Sequence, residues 1–168
     1  LWPMSRLARQ LDREQLVRAN MGTIAMLHPG MPGVMISTKQ DTLLPRLDER
    51  GITGARLGQG APEEAPSDWR VLEVLLASIS LETGGPAACI HMHGAYTTTA
   101  SCEKDLILCS PIDEVGKKML GKIVIVDPAY IPWLGCLTVI TPLFCVVVSG
   151  LPGNVLFGIV SLTKVISE

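Results

Sequence analysis

The chain has 168 residues, of which 48% are hydrophobic and 18% charged, with a formal net charge of −2. That length and apolar content suit a single globular domain over residues 1–168, and the near-neutral balance gives no electrostatic footing for nucleic acid. Five cysteines without a C-x-x-C pair, behind an N-terminus with no export signal, point to reduced thiols in a cytoplasmic protein.

Taken in order, residues 5–20 read as a helix. Leu7, Leu11 and either Gln15 or Val17 share one face, Asp12, Arg13 and Glu14 lie on another, and Gly22 ends it. Residues 21–37 read as a hairpin: an apolar stretch over 23–26, dense turn chemistry from His28 to Gly33, and a second strand over 34–37. Residues 38–41 are loop-like. Residues 51–66, with their glycines, prolines and acidic pair, read as a long surface loop. Ser67 is a good N-cap for the next helix, and Asp68 suits its positive first turn. Trp69, Leu72, Leu75, Leu76 and Ile79 form the apolar stripe of that helix through Leu81, and Gly84-Gly85-Pro86 stops it.

Residues 87–93 read as a strand, 97–102 as the start of a short helix, 106–109 as a strand and 113–120 as a helix with Lys117 and Lys118 near its C-terminal end. Residues 123–126 are a β-branched buried strand, 134–140 a short apolar helix, 144–149 and 154–158 the last strands, and 161–168 the start of a helix. No charged residue occurs from Pro128 to Thr163, enough length to cross a bilayer. However, Pro132, Pro142, Pro152, Gly150 and Gly153 interrupt the run, so buried strands separated by turns are the better reading, with no membrane partner. Interleaved helices and strands favour an α/β class, and hairpins at both ends favour a mixed, largely antiparallel sheet.

The chemistry concentrates at Ile90–His91–Met92–His93. Residues i and i+2 of a strand share a face, so His91 and His93 are spaced to grip one metal ion. Zinc takes imidazole nitrogen in tetrahedral geometry, and a catalytic site usually has three protein ligands and an open position. His28, in the first hairpin, has no evident route to such a site. Cys102, Asp127 and Cys145 are open alternatives for a third ligand.

The segment from Ile90 to Ser101 (His-Met-His-Gly-Ala-Tyr-Thr-Thr-Thr-Ala between its ends), with Gly84–Ala87 before it and Pro111-Ile112-Asp113 after it, resembles the class II aldolase and adducin-head family. The resemblance is specific over residues 89–102 and looser elsewhere. It implies a three-layer α/β/α sandwich, a homotetramer with sites near subunit interfaces, and a role in carbohydrate metabolism. It also implies zinc held by His91, His93 and a third, distant histidine. In the frame of that third ligand stands Pro152, followed by Gly153 and Gly158. The family's Ser-Ser-Glu corresponds to Pro66-Ser67-Asp68, so Asp68 takes the catalytic acid's place with a side chain one methylene shorter. Glu73 is the other candidate. The phosphate-binding segments correspond to Gly22-Thr23-Ile24-Ala25 and Ser37-Thr38-Lys39-Gln40. Thr23, Ser37, Thr38 and Ser67 are therefore the expected phosphate contacts.

Two functions follow from the resemblance. One is a zinc-dependent aldehyde-lyase acting on a small phosphorylated sugar or related hydroxyketone. The other is an adducin-like, non-catalytic domain of the same fold, kept for assembly or partner binding.

Overall fold

Helix α1, Trp2–Arg13, lays Met4, Ala8 and Leu11 against the sheet at helical spacing. It ends well before the expected residue 20. Gln15 takes a left-handed φ of 56°. Its N–H reaches the Asp12 carbonyl while the Leu16 N–H reaches the Leu11 carbonyl, each at 2.9 Å. That is the hydrogen-bond pattern of a helix stop usually built on glycine, with the apolar Leu11 and Leu16 packed in the same cluster. Val17 is buried by this fold-back rather than by helical periodicity. The computed structural model describes residues 2–85, 87–92, 108–115, 117, 123–126, 143–151 and 154–162.

The expected hairpin forms from β1 (Thr23–Leu27) and β2 (Val34–Thr38), paired antiparallel with Ala25 opposite Ser37. Part of the expected 51–66 loop is instead an edge strand, β3 (Ile52–Arg56), paired with β2 along its length. Gly54 disguises it in the sequence. A Cβ there would stand 3.0 Å from the Met35 carbonyl oxygen and 3.1 Å from Ile36 Cγ2, so glycine lets the two strands close up. Two short 3-10 turns, Leu44–Arg46 and Glu49–Gly51, join β2 to β3.

Helix α2 spans Trp69–Thr83 and stops where Gly84 turns left-handed, as the sequence indicates. Its N-cap position is Asp68, not Ser67, and the Asp68 side chain makes no capping bond. Then come β4 (Ala88–Met92), β5 (Leu108–Cys109), β6 (Ile123–Val126), β7 (Leu143–Leu151) and β8 (Asn154–Leu162). β8 runs through Leu162, so residues 161–162 belong to a strand rather than to the expected helix. Residues 114, 115 and 117 are helical within the expected 113–120 element. The helices expected over 97–102 and 134–140 lie outside the described residues, as do His93, Cys102, Asp127 and Pro152.

Among the described residues the sheet has the order β3-β2-β1-β4-β8-β7-β6-β5. Every neighbouring pair is antiparallel except β4 and β8, which run parallel with His91 opposite Ile159. The sheet is thus mixed and largely antiparallel. Strand alternation supplies its two faces. Ala25, Met35 and Cys89 join Trp69, Leu72, Leu76 and Ile79 of α2 in one buried cluster. Ile24 and Ile90 join Met4, Ala8 and Leu11 of α1, with Val17, Leu44 and Leu47, in the other. A helix on each face makes three α/β/α layers. Each fully buried Leu, Ile or Met contributes about 1.5–3 kcal/mol against leaving it in water. The charge-free stretch of the sequence contributes the β7–β8 hairpin to this sheet. Among the described residues no helix is long and apolar enough to cross a membrane.

Candidate functional site

The polar residues gather where β1 begins, β4 ends and α2 starts. Thr23 is the first residue of β1 and pairs directly with His91 of β4. Both lie on the α2 face, because they share parity with Ala25 and Cys89 of the α2 cluster. Gly22 makes the approach possible. Its φ is +95°, and a Cβ there would lie 2.8 Å from Val17 Cγ1 and 3.0 Å from the His91 carbonyl oxygen.

Asp68 completes the group. Its Oδ2 lies 2.7 Å from His91 Nδ1, and its Oδ1 accepts from the Thr23 hydroxyl at 3.2 Å. Asp68 is 3% exposed and the His91 side chain 12%. A carboxylate at a helix start usually serves the helix's own N–H groups; here it turns into the sheet and engages two strands. Cys89, two residues before His91 on the same face, is fully buried. Burial pushes its thiol far above its ordinary range, and the charge of Asp68 adds to the effect. It is a neutral thiol beneath the pair, not a thiolate ligand.

The remaining expected residues divide. Ser37 and Thr38 are almost wholly inaccessible. The Ser37 hydroxyl donates to the Thr38 carbonyl at 3.0 Å, and Thr38 Oγ1 accepts from the Ile24 N–H at 3.3 Å. Alternation along β2, with Met35 toward α2 and Ile36 toward α1, puts Thr38 on the face away from Asp68. Ser67 is exposed, and its N–H donates to Gln40 Oε1 at 2.8 Å. Gln40, read from sequence as loop and as the last residue of a phosphate-binding segment, ties the end of β2 to the start of α2. Lys39 pairs with Glu64. Glu73 points elsewhere. It accepts from the Gly58 N–H at 2.7 Å, beyond the end of β3 that pairs with Val34, at the opposite end of the strands from Thr23 and His91. His28 is also remote. It lies five residues along from Thr23, roughly 17 Å at ~3.4 Å per residue, and its Nδ1 accepts from the Gly30 N–H.

For a metal ion the described region provides His91 with a carboxylate on its Nδ1. That is the usual support of a ligating histidine, so His91 fits as one ligand. Among the described residues no three His, Cys, Asp or Glu side chains converge on a metal position, and His93 lies outside them.

No protein-family model matches the sequence, and no curated protein matches it. Solved structures do match. The fold superimposes on l-fuculose-1-phosphate aldolase from Thermus thermophilus with a TM-score of 0.65, at 21% identity over 80% of this chain and 66% of that one. It has the class II aldolase fold. Two YgbL proteins, provisionally assigned as aldolase/epimerase/decarboxylase, also share it. The Escherichia coli protein has a TM-score of 0.59 at 21% identity, and the Klebsiella pneumoniae protein 0.58 at 20%, each over 74% of this chain and 59% of its own. The chain therefore spans about three fifths to two thirds of the length of these class II aldolase-fold neighbours. Within that fold, Thr23, Asp68 and His91 meet at one end of the sheet, with Ser67 and Gln40 at its rim.

Proposed function

We propose that this domain is a class II aldolase-like aldehyde-lyase acting on a small phosphorylated hydroxyketone, with a divalent metal, zinc first, held by His91 and His93. The observation that carries this reading is the Asp68 carboxylate on His91 Nδ1, within a fold shared with l-fuculose-1-phosphate aldolase. A neutral imidazole that donates Nδ1–H to a carboxylate carries its lone pair on Nε2. That is the form in which histidine binds a metal. When bound, the metal supplies Lewis-acid polarisation of a substrate oxygen. Of the two carboxylates proposed to move protons, Asp68 stands beside His91, while Glu73 is engaged with Gly58. Ser67, exposed at the start of α2, supports a phosphate contact there. A homotetramer belongs to the same proposal.

The test is metal analysis after reconstitution with zinc. The expected result is about one zinc per chain, lost in His91→Ala and His93→Ala. Wild-type protein that retains no zinc refutes the reading. A sugar phosphate at 100 times its dissociation constant should then raise stability by about 2.7 kcal/mol.

A second reading, an adducin-like assembly domain of the same fold, draws on two observations. The Ser37 hydroxyl is turned into the protein rather than toward a ligand, and Pro152 occupies the third-histidine frame in the sequence. Native mass spectrometry giving a stable oligomer with neither metal nor sugar-phosphate binding would favour it.

A further inference from the structure

Thr23 has one hydroxyl proton, and that proton is donated to Asp68 Oδ1. An ionised phosphate accepts hydrogen bonds, so a hydroxyl whose proton is committed elsewhere has none to offer it. The geometry gives Thr23 another task. Direct cross-strand pairing with His91 sets the two Cβ atoms about 4.5–5.5 Å apart on one face. Asp68 reaches both, one carboxylate oxygen to each. With Oδ1 held by Thr23, the carboxylate cannot swing about its terminal torsion without losing a bond. Oδ2 therefore stays aimed at His91 Nδ1. Thr23 and Asp68 are both nearly inaccessible, so water does not readily replace the hydroxyl.

We propose that Thr23 is a positioning residue: acting through Asp68, it fixes the orientation and tautomer of His91 and does not contact the substrate phosphate. Its consequence for metal affinity rests on the reading of His91 as a metal ligand; its consequence for the tautomer does not.

The experiment uses the full chain as wild type, Thr23→Val and Thr23→Ser. Nitrogen-15 spectra of the metal-free proteins report the neutral His91 tautomer. Competition with a chelator reports zinc affinity, and inorganic phosphate is titrated separately. Wild type should show the Nδ1–H tautomer. Thr23→Val should show a mixture and bind zinc about 10-fold more weakly, as loss of a supporting hydrogen bond typically does. Thr23→Ser should restore both. An unchanged His91 tautomer in Thr23→Val overturns the proposal, as does weakened inorganic phosphate binding with the tautomer unchanged. If wild type binds no zinc but the tautomer still responds to Thr23→Val, the metal reading fails and the positioning role stands. Should Thr23→Val fail to fold, the wild-type protein decides: a slowly exchanging Thr23 hydroxyl proton supports the proposal, and a freely exchanging one refutes it.

Discussion

Removing the carboxylate of Asp68 is the most direct probe of the pair it forms. Asp68→Ala leaves the Thr23 hydroxyl and the His91 Nδ1–H without the acceptor each has now, the first nearly inaccessible and the second largely buried. An unsatisfied buried donor costs about 1–3 kcal/mol. Two donors lose their acceptor, and ~3 kcal/mol is the expected loss. For a domain of this length that lowers the melting temperature by about 6–12 °C. Asp68→Asn separates geometry from charge. The amide can meet both partners in either orientation, because the Thr23 hydroxyl accepts as well as donates and an imidazole nitrogen does either according to its tautomer. Asn should therefore cost about 1 kcal/mol, clearly less than Ala. Urea unfolding measures both losses. An Asp68→Ala loss below about 0.5 kcal/mol, the scale of an exposed ion pair, would refute the reasoning, as would an Asp68→Asn protein as unstable as Asp68→Ala.

Three further outcomes are expected. Cys89 keeps its proton when folded, while the unfolded chain releases it near the ordinary value of 9.0. Its contribution to stability is therefore fully present below about pH 9 and falls by up to ~1.4 kcal/mol per pH unit above it. Urea midpoints across that range should show the slope in wild type and its loss in Cys89→Ala, and iodoacetamide should spare Cys89 in the folded protein. Gly22→Ala puts a Cβ into Val17 and the His91 carbonyl at positive φ. It should cost about 2–3 kcal/mol by thermal unfolding and shift the His91 resonance. Glu73→Ala releases the Gly58 N–H and should cost about 1–2 kcal/mol. It should leave the His91 tautomer and the proposed zinc binding unchanged; a change in either would place Glu73 in the site after all.

Local pattern made much of this protein legible in its sequence. The apolar stripe from Trp69 to Ile79 and the glycines after Thr83 define α2 because helical periodicity and a left-handed stop are local properties. The turn chemistry between His28 and Gly33 defines the β1–β2 hairpin for the same reason. Expectation and structure part where a local signal is unusual. Gln15 performs a stop that glycine normally performs, so α1 looks longer in sequence than it is. Gly54 looks like a loop residue because the close approach it permits lies on another strand.

The types of residue at the candidate site were likewise readable: a histidine late in a strand, an aspartate at a helix start and a threonine opening the first strand. Their partnership was not. Thr23, Asp68 and His91 are separated by 45 and 23 positions in the chain. Strand register puts Thr23 opposite His91, and the seating of α2 on that face brings Asp68 to both. Side-chain parity sends Thr38 to the far face, and the direction of α2 carries Glu73 toward the other end of the strands. A sequence specifies which chemical groups exist and the local shapes they prefer. Which groups meet depends on long-range pairing and packing, so the direction in which each hydroxyl and carboxylate points was decided only by the folded sheet.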